Sequence, residues 1–316
     1  MIQVDWTDAR VEAHVAGLSL WAGAASLAPL TGGLCNRSWV VTAAGRRYVA
    51  RVGFDIPIHG IHQTSVQAAM AAAAGLGLAP ALRHAEPNLT VVDFLDGGCM
   101  TSGDVIANMP AVVELLRALH GGGAAVAGTL GTFWPFQAIR RYVALGRARR
   151  SRLLDRLAEV ERINTLLERA VRPFTPVFTH NDLVPQNLMF DGQRRVWLVD
   201  WDYGGFGHPM FDLAALGANA DGGEADDRRV LELYAGRTDE AAWRDFLVFK
   251  LILSLREWLW GMAQELTSKL ATEAVAASMG ALYPGRERGY EGYTNLNGER
   301  FERSWRRYGG AFEGNP

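Results

Sequence analysis

The stretch from residue 178 to residue 213 constrains this chain more than any other. It reads Phe-Thr-His-Asn-Asp-Leu-Val-Pro-Gln-Asn-Leu-Met-Phe-Asp-Gly-Gln-Arg-Arg-Val-Trp-Leu-Val-Asp-Trp-Asp-Tyr and closes on Gly-His-Pro-Met-Phe-Asp-Leu. Two short apolar runs, 187–190 and 196–199, flank the turn signal Asp191-Gly192, which is the pattern of a β-hairpin. Asp182 and Asn187 lie on the entry side of that hairpin, and Asp200 and Asp202 on its exit side. A hairpin returns its two ends to one place, so these oxygen-bearing side chains are predicted to converge. Converging hard oxygen ligands suit Mg²⁺, which takes one or two carboxylates together with phosphate oxygens and water.

His180, Asp182 and Asn187 have the spacing His-x-Asp-x-x-x-x-Asn. That is the spacing of a kinase catalytic loop, in which a later Asp on a hairpin supplies a second metal ligand. Asp200 stands where that later Asp is needed. The bland alternative is a polar loop followed by a surface hairpin. It accounts for a single His-x-Asp, but not for the whole ordered set between two strands.

With 316 residues, of which 49% are hydrophobic, the chain can fill roughly two domains. A formal net charge of −2 gives no reason to expect nucleic acid or an anionic membrane as partner. Cys35 and Cys99 form no disulfide framework and match no zinc spacing, which fits a reducing compartment. No basic-then-apolar leader opens the sequence, and the apolar run 68–82 is too short to span a bilayer. A cytoplasmic protein with no membrane partner is the expectation.

In the N-terminal third, Thr7-Asp8 is an N-cap signal for a helix over 7–18. Residues 26–53 read as three strands. The turn holding Gly32 and Gly33, with Asn36 just after it, lets backbone N–H groups approach a phosphate, or is only a turn. The third strand of such a sheet should present a cation to the nucleotide phosphates. The two lysines, Lys250 and Lys269, lie far downstream, which leaves Arg51. Arginine keeps its charge and offers a planar fork of donors; the alternative is a surface Arg on an edge strand. The helix predicted over 61–76 carries no acid to pair with Arg51. No Asp or Glu occurs between Asp55 and Glu86, and His62, Gln63 and Gln67 are the nearest polar substitutes. Strands are predicted at 81–85 and 89–95, followed by a break at Gly97-Gly98. The break divides the chain into a nucleotide-binding part, 1–96, and a catalytic and substrate-binding part, 97–316. An adenine ring is expected at this hinge, on the backbone of Asp93, Phe94 and Leu95.

Beyond the hinge the periodicity is helical, over 105–120, 133–150, 151–170, 225–236 and 240–270. Arg140, Arg141, Arg147, Arg149 and Arg150 read either as the solvated face of a helix or as a nucleic-acid patch. The balanced total charge favours the former. Asp212 is either a buried carboxylate that holds the catalytic loop or a plain acid in a helix's first turn.

The run 180–214, together with Leu-Thr-Gly-Gly-Leu-Cys-Asn-Arg-Ser at 30–38 and Leu-Arg-Glu-x-Leu-Trp at 255–260, resembles the choline/ethanolamine kinase branch of the aminoglycoside phosphotransferase superfamily. The resemblance implies an α+β, protein-kinase-like fold of two lobes. The N-terminal lobe is small and built on an antiparallel sheet; the C-terminal lobe is larger and mainly helical. It also implies ATP and Mg²⁺ as cofactors, Asp182 as catalytic base, Asn187 and Asp200 as metal ligands, and Arg51 in place of the usual lysine. Asp202 matches an acidic family position and joins the metal set. Two positions depart from the family pattern: the helix Glu is absent, and His208 stands where Gly-Asp-Pro is usual.

The expected reaction is ATP-dependent phosphorylation of a small-molecule hydroxyl. Aromatic faces hold quaternary ammonium ions, so Tyr203, Trp258, Trp260, Tyr293 and Trp305 are candidate walls of a choline-type acceptor site, or else core residues. An aminoglycoside acceptor would use acids such as Glu224, Asp226, Asp227, Asp239, Glu240 and Glu257. The missing helix acid also leaves open a nucleotide-binding scaffold with vestigial ligands.

Overall fold

The computed structural model describes residues 2–30, 36–220, 222–236, 238–268 and 289–313. Gly32 and Gly33 lie outside the described residues.

The chain opens with helix α1 (Asp8–Ala16), whose N-cap Thr7 accepts a hydrogen bond from the Arg10 amide. Strands β1 (Ala25–Leu30), β2 (Arg37–Ala43) and β3 (Arg46–Val52) follow, then helix α2 (Gln63–Gly75) and strands β4 (Leu82–Glu86) and β5 (Leu89–Asp93). These five strands form one antiparallel sheet in the order β1-β2-β3-β5-β4. Alternate residues face one side, as a period of two demands. Trp39, Val41, Ala50, Val52, Leu89 and Val91 make an apolar layer covered by Ile2, Val11 and Val15, which places α1 against that layer.

Strand β6 (Gly97–Cys99) comes next, then helices α3 (Ser102–Ala107), α4 (Met109–Gly121), α5 (Pro135–Ala148) and α6 (Leu157–Arg169). The helix expected over 105–120 is two helices. Asn108 closes the first, and Pro110, confined to a first turn by its missing N–H, opens the second. Strands β7 (Val177–Thr179), β8 (Leu188–Asp191), β9 (Val196–Leu198) and β10 (Gly205–Gly207) build two small sheets, β6-β8-β9 and β10-β7. Helices α7 (Pro209–Asn219), α8 (Glu224–Ala235), α9 (Glu240–Thr267), α10 (Gly289–Tyr308) and α11 (Gly310–Glu313) complete the described chain. The fold is α+β, with an antiparallel sheet first and helices after, as expected.

Two compact units emerge. One comprises Met1–Pro57, Ile61–Thr132 and Val177–Phe206; the other comprises Ile58–Gly60, Phe133–Pro176 and Gly207–Pro316. The units do not part between residues 96 and 97. Gly97-Gly98 is not a coil break either, because it forms the edge strand β6 on β8, in register Gly97↔Asp191 and Gly98↔Phe190. Only glycine fits this approach, since a Cβ on Gly97 would sit 1.7 Å from the Phe190 carbonyl oxygen. In the second unit α9 is buried on nearly every face, from Trp243 to Gln264, which makes it the axis of the helical packing.

Candidate active site

The hairpin forms where the sequence placed it. Strands β8 and β9 pair with Leu188 opposite Leu198 and Phe190 opposite Val196. The turn differs in detail from a two-residue Asp-Gly loop. Arg194, not Gly192, takes the left-handed conformation (φ 61°), and the Asp191 carboxylate accepts from the amides of Gln193 and Arg195 and from the Trp197 indole. The indole bond, then the backbone donors, hold the Asp191 carboxyl below the ordinary Asp value.

Ahead of the hairpin, the segment 180–187 is fixed by its own polar groups. His180 is fully buried; its Nδ1 accepts from the Asp182 amide (3.3 Å), and its Nε2 lies 3.0 Å from the Val199 carbonyl oxygen. An acceptor at Nδ1 assigns the proton to Nε2, so one neutral ring ties residue 182 to the residue before Asp200. Asn181, left-handed at φ 65°, sends its amide nitrogen to the Tyr203 carbonyl at 2.9 Å. Asn187 donates from Nδ2 to the Asp182 carbonyl at 2.9 Å, with Asp182 Oδ2 at 3.4 Å. This orients its amide oxygen as the atom left to meet a cation. The Val199 amide closes the ring on the Asn187 carbonyl at 3.0 Å.

On the exit side, Trp201 (2% exposed) is driven into the core against Phe178 and His180. Its neighbours Asp200 and Asp202 meet on one cation: Arg51 Nη2 lies 2.9 Å from Asp200 Oδ1 and 2.6 Å from Asp202 Oδ1. Asn36 Nδ2 donates to Asp202 Oδ2 at 3.0 Å. Asp200 is left-handed at φ 60°, a conformation that Asp tolerates better than most residues and that recurs at functional sites. The Asp200 side chain keeps 45% of its surface open, against 8% for Asp202. Lost hydration, with the Asp202 charge adding, nonetheless lifts the Asp200 carboxyl above the ordinary Asp range against the pull of Arg51. Its open face is what a cation would reach.

Side-chain bonds thus join Asn36, Arg51, Asp200 and Asp202 in one set and Asp182 with Asn187 in another, and the His180 ring and the Val199 amide tie the second set to the residue before Asp200, all in the first unit. The polar residues of α2 do other work. Gln63 Nε2 donates to the Phe54 carbonyl and Gln67 Nε2 to the Glu86 carbonyl, so neither stands in for a helix acid. Among the described residues no group of three or more His, Cys, Asp and Glu could hold a metal by itself. An ion here would lean on few protein ligands and on phosphate, as Mg²⁺ does. At the expected hinge, the amides of Asp93 and Phe94 already donate to Ala81 and Arg47, and the Asp93 carboxylate is paired with Arg83. Of the three residues proposed there, only the Leu95 amide is not already a donor within the sheet in this way.

The four aromatic candidates of the second unit divide between two packings. Trp258 (4% exposed) stacks on Phe301, which stacks in turn on Trp305, so Trp258 is a core residue. Trp260 packs edge-on with Tyr293 (5.2 Å) and Tyr290 (6.0 Å), and the Tyr293 hydroxyl donates to Glu257. His59 joins that cluster, 5.8 Å from Trp260 and bonded to the Tyr142 hydroxyl at 2.9 Å; no periodicity marked it. Tyr203 belongs to the other unit.

His208 is a working substitute for Asp. It is the N-cap of α7, and its Nδ1 accepts from the Met210 amide at 3.1 Å while its ring lies 4.2 Å from both Phe174 and Phe249. Asp212 is fully buried, which excludes a plain solvated acid in the first turn.

The phosphotransferase enzyme family matches residues 26–247, well over half of the chain. This protein belongs to that family. The phosphotransferase is 23% identical over 257 residues to protein LicA of Haemophilus influenzae, covering 77% of this chain and 72% of that one. Its fold is that of the choline kinase LicA from Streptococcus pneumoniae, at a TM-score of 0.73 and 17% identity over 94% and 98% of the two chains. A choline/ethanolamine kinase family protein from Mesorhizobium loti superposes at 0.68, with 22% identity and 93% of each chain covered. The phosphotransferase is thus an enzyme of the small-molecule kinase type.

Proposed function

We propose that this phosphotransferase moves the γ-phosphoryl group of ATP, with Mg²⁺, to the hydroxyl of a small amino alcohol of the choline or ethanolamine kind. What supports the reading is Arg51 held by Asp200 and Asp202 at the exit of the hairpin, with Asn187 held on Asp182 at its entry. Asp182 accepts or orients the proton of the attacking hydroxyl. Asn187, through its amide oxygen, and Asp200, through its open carboxylate, are a hard donor pair that fits Mg²⁺. When bound, the ion neutralises charge on the transferred group. Arg51 holds the remaining phosphates with its planar donor fork. Positioning and charge stabilisation supply most of the rate in such chemistry. A LicA structure in complex with AMP supports a nucleotide as donor.

The acceptor class rests on the aromatic faces of Trp260, Tyr290 and Tyr293, since such faces recognise an ammonium group; Glu257 beside them is paired with Arg256 and accepts the Tyr293 hydroxyl. The acids that would have favoured an aminoglycoside are largely committed. Glu224 binds Arg228 and Arg307, Asp227 binds Lys250, Asp226 accepts the Gly223 amide, and Asp239 caps α9. The test is ATP consumption with choline, ethanolamine, thiamine and aminoglycosides, with and without EDTA. Turnover on amino alcohols that EDTA abolishes is expected. Turnover confined to aminoglycosides would overturn the acceptor, and EDTA-insensitive turnover the metal.

A further inference from the structure

Protein kinases orient their phosphate-binding cation with an acid on the helix after the third strand, and this chain has no Asp or Glu between Asp55 and Glu86. The structure shows another acid on the cation. Asp202 is nearly buried, and both of its oxygens are engaged, Oδ1 by Arg51 at 2.6 Å and Oδ2 by Asn36 at 3.0 Å. Asp200, two residues away, is held by Arg51 through Oδ1 only at 2.9 Å and keeps an open face. We propose that Asp202 is not a metal ligand but the positioning residue for Arg51, with Asn36 as its brace, and that it replaces the helix acid.

Both carboxylates keep further lone pairs, but Asp202 is held through both oxygens with 8% of its side chain exposed, whereas Asp200 is held through one oxygen and is 45% exposed, so a metal ion reaches Asp200 the more readily. Asn36 reinforces the arrangement locally: a Cβ on Gly53 would lie 2.5 Å from Asn36 Oδ1 and 3.0 Å from the Gln63 amide, so the glycine opens the room that lets Asn36 reach Asp202. The brace therefore joins Asn36, the strand that carries Arg51 and the exit of the hairpin. It locks Arg51 before any nucleotide arrives. Asp200, by contrast, shares Arg51 and can exchange it for a metal ion.

This inference rests on the reading of Arg51 as the phosphate-binding cation. It is tested by comparing Asp202→Asn with Asp200→Asn in the full-length protein. Mn²⁺ affinity is read by electron paramagnetic resonance in the presence of a nonhydrolysable ATP analogue, and nucleotide affinity by titration. Asp202→Asn is expected to weaken nucleotide about tenfold to a hundredfold, the size of one charge-assisted hydrogen bond, with Mn²⁺ affinity in the ternary complex within about twofold of wild type. Asp200→Asn is expected to do the reverse. Loss of Mn²⁺ binding in Asp202→Asn would make Asp202 a ligand and overturn the proposal. A second readout needs no nucleotide: Arg51→Gln and Asp202→Asn are combined in a double-mutant cycle on the unfolding midpoint. Strong non-additivity is expected, and additive effects would overturn the clamp. A wild-type protein that binds no nucleotide yet gives non-additive stability would sink the kinase reading and leave the clamp standing.

Discussion

Arg51 with Asp200 and Asp202, in the first unit, and Lys250 with Asp227, in the second, are built from similar groups and differ in what is left over. Lys250 on α9 and Asp227 on α8 are matched one to one; the Asp227 side chain is fully buried and that of Lys250 is 11% exposed. Gly217 lies so close that a Cβ there would approach Asp227 Oδ1 to 2.2 Å. Burial pushes the Asp227 carboxyl up, with Lys250 opposing. The first-unit cluster has one cation, two carboxylates and an open face on Asp200. A closed pair fixes architecture. A cluster with surplus charge and access to solvent is a place for chemistry, and the surplus carboxylate is the group that calls for a second cation.

The most severe way to break that contrast is at the open cluster. Asp182→Asn keeps the backbone carbonyl that accepts from Asn187, so nucleotide affinity should hold while kcat falls by about 10²- to 10⁴-fold, the usual yield of a positioned general base. Near-normal turnover in this variant, measured by coupled ATP consumption, would remove Asp182 from its role.

At the closed pair the loss should appear in stability instead. Lys250→Met strands a buried carboxylate, which costs about 3–5 kcal/mol, while KM for nucleotide and acceptor stays put. The sign of its pH dependence follows from the raised Asp227 value. The folded state then binds more protons than the unfolded one, so stability falls as pH rises from the ordinary Asp range through the raised folded value. Acidification should therefore recover part of the loss in Lys250→Met, as read by chemical denaturation at several pH values. A loss independent of pH would show that Asp227 is not the group left uncompensated.

Trp258 and Trp260 carry the same contrast into α9. Trp258→Ala should destabilise by about 3–5 kcal/mol, as for other buried aromatics, with acceptor KM unchanged in the surviving fold. Trp260→Ala should raise acceptor KM by roughly twofold to thirtyfold, the range of a cation–π contact, at smaller cost in stability. Equal KM effects from both would dissolve the distinction between stack and site.

Much of this was legible in the sequence because it rests on local rules. The hairpin follows from two apolar runs and a turn, and with it the placing of Asp182 and Asn187 at its entry and of Asp200 and Asp202 at its exit. Arg51 follows as the candidate cation by elimination, and the structure pairs it with Asp200 and Asp202. What sequence periodicity could not supply was partnership across the chain. Asp202 and Asn36 are 166 positions apart, and nothing local marks one as the brace of the other. The division of Trp258 from Trp260 was missed for a similar reason. Both lie in one apolar helix, and only the packing of α10 decides which of them stacks on Phe301 and which meets Tyr293. The edge strand at Gly97-Gly98 was hidden because glycine pairs mark breaks far more often than close strand contacts. The capping role of His208 was hidden because histidine is an uncommon N-cap.

That last residue offers the smallest and most discriminating variant. His208 combines two functions, an acceptor for the Met210 amide and an aromatic plate beside Phe174 and Phe249. His208→Ala loses both. The missing cap alone is worth about 1 kcal/mol, and an aromatic contact adds roughly 0.5–1.5 kcal/mol. His208→Asp restores the more usual residue of this family position and a better cap, but no ring. If capping is the reason for a residue of this kind here, Asp should recover most of the stability lost in the Ala variant. If the ring matters more, Asp and Ala should unfold at similar denaturant concentrations, and the histidine would then be a packing residue whose nitrogen happens to fall on an amide.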